Sequence, residues 1–287
     1  MDKISVRQFE KKDIEFAYEM TTVEHWNVTV KDVERMYSFE PEGCFMAEVN
    51  GEPAGHAFAF NYGTMGWIGL VIVKDEHRRK GLATLLTAKA RDYLLNRGVA
   101  TIKLEAVPAI SGLYRKLGFT DEFDSLRFIG TRPATACLTS CNTKPVEDEI
   151  VEELARIDAR YFGARRTKVL EALFKEYPQY CFVSRSGSRI DGYIMCRNAE
   201  KGYNLGPWAC DPSHPETAKE LLATCVSRLT PGAKIYVGVP SVNCAATVLL
   251  NESGFKMYSK SIRMRFGNEL KDECAAGIFA IGGPMKG

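Results

Sequence analysis

The 287-residue chain lacks most of the features that mark a specialised class of protein. No apolar segment approaches the roughly 20 residues that a membrane-crossing helix needs. The polar opening, Met1 to Asp13, has no apolar stretch of the kind a secretory signal carries. Net charge is only +2, with 38 basic against 36 acidic residues, so nothing in the balance calls for nucleic acid or an anionic membrane as partner. No C-x-x-C pair occurs among the nine cysteines, an odd and scattered set in which Cys44, Cys181 and Cys196 stand inside apolar runs. A disulfide scaffold is therefore not expected; reduced, partly buried thiols are. Cys137 and Cys141 are spaced like half a metal site, but no second ligand pair accompanies them, and no metal is expected. With 45% hydrophobic and 26% charged residues, the expectation is a soluble, cytoplasmic globular protein long enough for two domains.

Two common phosphate-binding signatures, G-x-x-x-x-G-K-[ST] and G-x-G-x-x-G, are also absent. What is present is the stretch Trp67 to Thr84, WIGLVIVKDEHRRKGLAT. Trp67 to Val73 is short, apolar and β-branched, and reads as a buried strand. A charged turn, Lys74 to Lys80, follows. Leu82, Leu85, Leu86, Ala90, Tyr93 and Leu94 then recur at helical spacing. The first amides of a helix lack intrahelical partners and carry the positive end of its dipole. Gly81 and Ala83 keep bulk away from those amides, and Arg78, Arg79 and Lys80 add charge beside them. This is a cradle for a phosphate or pyrophosphate.

The spacing Arg78-x-x-Gly81-x-Ala83 after an apolar strand resembles the acetyl-CoA pyrophosphate loop of the GNAT N-acetyltransferases. A second feature agrees: after the strand Thr101 to Val107 comes Leu113-Tyr114-Arg115-Lys116-Leu117-Gly118-Phe119, and Leu-Tyr-x-x-x-Gly-Phe is typical of that family. Together the two motifs cover about residues 3 to 130. The resemblance implies an α/β fold with a mixed, mostly antiparallel twisted sheet flanked by helices. The central strand and its neighbour would splay apart to admit the pantetheine arm. Asn50-Gly51 between Phe45–Val49 and Gly55–Phe60 is a hairpin signal.

From Thr131 to about Pro145 the apolar periodicity lapses, which reads as a linker, and then the pattern restarts. Two strand-like runs flank Ser186-Gly187, Leu205 to Cys210 stands where a central strand should, Ala218, Leu221, Leu222, Cys225 and Leu229 form its helix, and Gly254-Phe255 echoes Gly118-Phe119. The chain is thus expected to be a tandem GNAT fold, with a catalytic domain at 1–130 and a degenerate one at 146–287. In helix register, Arg78, Gly81 and Ala83 face His214, Thr217 and Lys219, and Pro215 is inserted, so the second cradle should not hold a pyrophosphate. Tyr114 faces Leu250. Val107 faces Asn243, and many GNAT domains carry an asparagine near that position for the cofactor arm. One active domain, the first, is expected.

The resemblance assigns roles residue by residue. Acetyl-CoA is the expected cosubstrate, held by Arg78, Arg79, Lys80, Gly81, Leu82, Ala83 and Thr84 at the phosphates and by the main chain of Val71, Ile72 and Val73 along the arm. Tyr114 is the expected general acid for the departing thiolate; a phenol does that only when placed beside it. Glu105, Glu24 and His25 are alternative bases, and Glu24, Trp26 and Asn27 lie in the loop that covers the acceptor in this fold. The acceptor, an amine on a small molecule or peptide, is not readable, and a homodimer is one open arrangement. The rival expectation is a CoA-responsive regulatory or scaffold protein without turnover.

Overall fold

A computed structural model describes residues 2–133, 142–270 and 273–287. Cys137, Cys141 and most of the linker expected at 131–145 lie outside the described residues. The chain forms two compact units. Unit 1 holds residues 1–122 with 263–269 and Lys286; unit 2 holds 123–262, 270–285 and Gly287.

Unit 1 begins with β1 (Ile4–Gln8), α1 (Ile14–Val23) and α2 (Val30–Phe39), and continues through β2 (Cys44–Val49), β3 (Glu52–Asn61) and β4 (Met65–Val73). The turn between β2 and β3 has Asn50 at φ 55° and Gly51 at φ 89°, the left-handed pair that a tight hairpin requires. After β4 come α3 (Leu82–Leu95), β5 (Thr101–Ala106), α4 (Ser111–Lys116) and the start of β6 (Thr120–Thr131). Neighbours β1 to β4 pair antiparallel, and the α3 crossover returns β5 parallel to β4. α3 turns Leu82, Leu86, Ala90 and Leu94 inward, and Gly98 (φ 79°) stops it. Asp13, at the foot of α1, does not cap that helix: its carboxylate accepts from the Glu10 amide at 2.8 Å and pairs with Arg7 at 2.6 Å.

Unit 2 repeats the plan. β7 (Thr143–Pro145), α5 (Val151–Phe162) and α6 (Thr167–Glu176) lead into β8 (Cys181–Ser186), β9 (Arg189–Asn198) and β10 (Tyr203–Cys210). The hairpin strands are six and ten residues long in both units. α7 (Pro215–Ser227) crosses over to β11 (Lys234–Pro240), parallel to β10, followed by α8 (Cys244–Glu252), β12 (Lys256–Gly267) and β13 (Ile278–Ala280). The core is an apolar cluster in which Trp208, Leu221, Cys225, Leu250 and Phe279 are fully buried. β6 pairs antiparallel with β11 from Ser125↔Pro240 to Thr131↔Lys234. Residues 123–131, expected with the first domain, thus pack in unit 2, and 263–269, expected with the second, pack in unit 1.

The expected fold class holds: strands of mixed direction are flanked by helices in both repeats. Cys44, Cys181 and Cys210 are buried free thiols whose pKa burial pushes up, which keeps them protonated. No helix among the described residues is long and apolar enough to cross a membrane. Among those residues no group of three His, Cys, Asp or Glu is placed to hold a metal ion.

Candidate active site

The strand–turn–helix stretch stands as the sequence pattern implies. β4 ends at Val73, Lys74 to Gly81 form the turn, and α3 starts at Leu82. Two residues of the turn are left-handed, Arg79 at φ 61° and Gly81 at φ 86°. A Cβ on Gly81 would meet nothing within 4 Å, so the space over the helix start is open. No side chain caps α3, which leaves its first amides, those of Leu82, Ala83 and Thr84, pointing into that space. Arg78, Arg79, Lys80 and Thr84 are exposed around it, whereas the Leu82 and Ile72 side chains are buried and offer only main chain. Left-handed residues alternating along a turn make an anion-binding nest, and the helix dipole adds to it. The donor set and the open space fit a pyrophosphate.

The turn is also tied to the expected acceptor loop. Arg78 donates from Nε to the Val73 carbonyl at 3.0 Å, pairs with Asp75 at 2.9 Å, and forms an ion pair with Glu24. Lys80 Nζ lies 3.0 Å from the Asp2 carboxylate. These exposed pairs are worth about 0–1 kcal/mol each, so an incoming polyanion can displace them. In the loop itself His25 is exposed at φ 56°, while Trp26 and Asn27 are half-buried.

β4 holds a feature that spacing alone does not reveal. Its pairing with β3 slips between His56↔Ile72 and Phe58↔Gly69, and Leu70 sits at φ 50° in the resulting bulge. On its other side, β4 pairs with β5 only from Met65↔Thr101 to Ile68↔Leu104. Beyond Ile68 the two strands part, so the edge of Gly69 to Val73 is free of β5. Buried beside the bulge is His56, fully enclosed, its ring against Phe9, Phe16 and Phe58 at centroid distances of 6.3, 6.1 and 5.9 Å. It lies next to the Leu70 main chain without a hydrogen bond of standard geometry, and burial pulls its imidazole down to about 4, so the ring is neutral at pH 7. Sequence reasoning passed over His56; its place within an apolar strand made it look like packing.

Tyr114, on α4, is 4% exposed, with its ring edge-on to Phe119 at 6.2 Å. Burial pushes its phenol up to about 12. The group is therefore protonated at pH 7 and has a proton to give. Glu105 stands differently from a free base. Its carboxylate is buried and ion-paired with Arg263 at 2.8 Å, and that guanidinium lies 4.5 Å over the Trp67 ring. Lys103, two residues earlier on the same face of β5, pairs instead with Glu122 at 3.0 Å. The structure therefore joins Glu24 to the cradle and Glu105 to Arg263; among the described residues no hydrogen bond joins Tyr114 to His25.

Comparison with known proteins identifies the family. Residues 10–119 match the model of the acetyltransferase (GNAT) family, and residues 154–279 match a further acetyltransferase (GNAT) domain model. An acetyltransferase of Pectobacterium atrosepticum is 32% identical over 97 residues, 33% of this chain and 69% of that protein. The chain belongs to the GNAT acetyltransferase family. This tandem GNAT protein is also 23% identical over 256 residues to a holothin acyltransferase of Pseudoalteromonas, covering 89% of this chain and 85% of that one. A Pyrococcus horikoshii structure described as a candidate acetyltransferase superposes with TM-score 0.80 at 25% identity, over 99% of this chain and 96% of the other. A tandem GNAT protein from the clavulanic acid pathway shares the fold at TM-score 0.63 and 11% identity, over 92% and 98%. As a GNAT acyltransferase, the protein is an enzyme of acyl transfer.

Proposed function

We propose that unit 1 transfers an acetyl group from acetyl-CoA to the amine of a small molecule or peptide, by direct attack of the bound amine. The observation that carries this is the conjunction of the open nest over α3 with the parting of β4 and β5 beyond Ile68. One takes a pyrophosphate; the other offers a strand edge to an extended amide chain. Val71 and Val73 supply that edge, and Arg78 to Thr84 supply the nest. When bound, acetyl-CoA provides an acyl group activated as a thioester.

The chain's own groups do the rest. Charge-assisted contacts worth roughly 1.5–3 kcal/mol each hold the polyanion. Tyr114 delivers the proton to the departing sulfur. Of the three bases considered, Glu105 is buried in its pair with Arg263, and Glu24, paired with Arg78, stands at the phosphate cradle. His25, whose exposed ring has no hydrogen-bond or ion-pair partner among the described residues, takes the amine's proton, and Trp26 and Asn27 line the acceptor side. The holothin acyltransferase, by its name, acts on a small molecule, which favours a small-molecule acceptor here. A cytoplasmic site of action fits an enzyme that draws on acetyl-CoA.

The test is Tyr114→Phe. Turnover, followed by thiol release, should fall about 10²-fold or more, while coenzyme A affinity measured by calorimetry stays within twofold. Unchanged turnover would remove Tyr114 from the acid role.

A further inference from the structure

Unit 2 has the same parting of strands as unit 1, and there it is filled. β10 pairs with β11 only from Tyr203↔Ile235 to Leu205↔Val237. Past that point β13 takes the vacated edge, antiparallel, with Trp208↔Ala280 and Ala209↔Ile278. The Ile281 amide, just after β13, donates to the Gly238 carbonyl of β11 at 2.9 Å. Residues 278–281 are therefore wedged between the two strands. In unit 1, among the described residues, β4 has no partner other than β3 and β5.

The fit is specific. Gly206 leaves room that a Cβ would deny, since one built there would lie 2.1 Å from the Ile281 carbonyl oxygen. Phe279 packs on Trp208 with ring centroids 5.0 Å apart. Asn243, at the start of α8, donates from Nδ2 to the Ile278 carbonyl at 3.0 Å while its Oδ1 accepts from the Ala246 amide at 2.9 Å. The position registering with Asn243 in unit 1 is Val107, 48% exposed beside an open gap. Downstream, Arg166 donates to the Gly287 carbonyl at 2.5 Å and is clamped by a bidentate pair to Asp158 at 2.7 and 2.8 Å, which in turn accepts from the Tyr193 hydroxyl at 2.5 Å. Tyr193 is the fifth residue of β9, as His56 is the fifth of β3.

We infer that the gap between the central strands is a site for an extended amide chain in both units, and that in unit 2 its ligand is the chain's own segment 278–281, held by Asn243. Asn243 is thus a clamp on a built-in occupant. The second unit has two independent bars to an acyl carrier. One is this occupant. The other is a cradle in which Pro215 lacks an amide hydrogen and Glu216 puts a negative charge in the first turn of α7. For unit 1, the inference rests on the acetyl-CoA reading above, because it takes the segment's amide backbone as the analogue of the pantetheine amides.

Hydrogen exchange on the full chain, with coenzyme A as probe, tests it. Amides 278–281 should be protected in the free protein and unchanged by saturating coenzyme A, and calorimetry should count one binding event per chain. Asn243→Asp keeps the acceptor that caps α8 and removes the donor to Ile278. Exchange at 278–281 should quicken at least tenfold while coenzyme A affinity changes less than twofold. Gly206→Ala, which crowds the Ile281 carbonyl, should do the same. The inference is overturned if coenzyme A shifts exchange at 278–281 tenfold, if two equivalents bind, or if Asn243→Asp weakens coenzyme A binding with the segment's exchange unaltered. Should coenzyme A bind nowhere, the acetyl-CoA reading fails, and the exchange rates of the two variants still decide the fate of the segment.

Discussion

His56 is a residue whose environment constrains its chemistry. Its imidazole is held neutral by burial, with a folded pKa of about 4 against an unfolded value near 6.5. The folded state binds fewer protons than the unfolded one between those values. Its contribution is therefore complete above about pH 6.5, is lost as pH falls toward 4, and levels off below. At 1.36 kcal/mol per pH unit the loss is about 3 kcal/mol. Denaturant unfolding at pH 7 and pH 4.5 checks this: native protein should lose more stability between the two than His56→Phe does, and equal losses would refute it. Glu105 and Arg263 allow a second test at this scale. Removing one partner leaves a buried charge, so Arg263→Met should cost about 3–5 kcal/mol, whereas the double variant Arg263→Met/Glu105→Met should recover much of that loss. Urea melts of the three proteins decide, and a double variant no better than the single one would refute the pairing as the source of the cost.

At the scale of elements, the two cradles are the natural comparison. α3 starts from a left-handed Gly81 with open space above it; α7 starts from His214 with Pro215 at its first position. Gly81→Glu should abolish coenzyme A binding, by filling the nest, adding negative charge and straining a φ of 86°. Thr217→Glu, the registered substitution on α7, should leave it untouched. Calorimetric titration of both variants checks this, and equal losses would mean that both units bind. This contrast was legible from residues, because a nest needs glycine and basic neighbours at fixed spacing in one stretch of chain. The Tyr114 motif was legible for the same reason. The bulge at Leu70 was not, since it arises from the register of two strands, and leucine gives no signal of a positive φ. Nor was the commitment of Glu105 to Arg263, a partner 158 residues away. The sequence register places Asn243 opposite Val107, where many GNAT domains carry an asparagine for the cofactor arm. The actual partner of Asn243, Ile278, follows from a three-residue strand too short to stand out in the sequence.

For the whole molecule, the repeat is less separable than its sequence suggests. A cut near residue 130 looks natural, since periodicity lapses there, yet each compact unit takes a strand segment from the other repeat: 263–269 in unit 1 and 123–131 in unit 2. A fragment of residues 1–133 would therefore keep Glu105 without Arg263 and Lys103 and Glu122 without Arg265, which lies 3.0 Å from Glu122. It would also leave the far edge of β5 unpaired. Buried charges stripped of partners cost several kcal/mol, comparable with the 5–15 kcal/mol that stabilises a typical domain. The expected outcome is that residues 1–133 expressed alone show no cooperative melt by circular dichroism and do not bind coenzyme A. Co-expression with residues 142–287 should restore both, and the intact chain should unfold in one transition. A fragment that melts cooperatively and binds coenzyme A by itself would show that unit 1 is complete without residues 263–269, and that the exchanged segments are ornament to a domain already able to act.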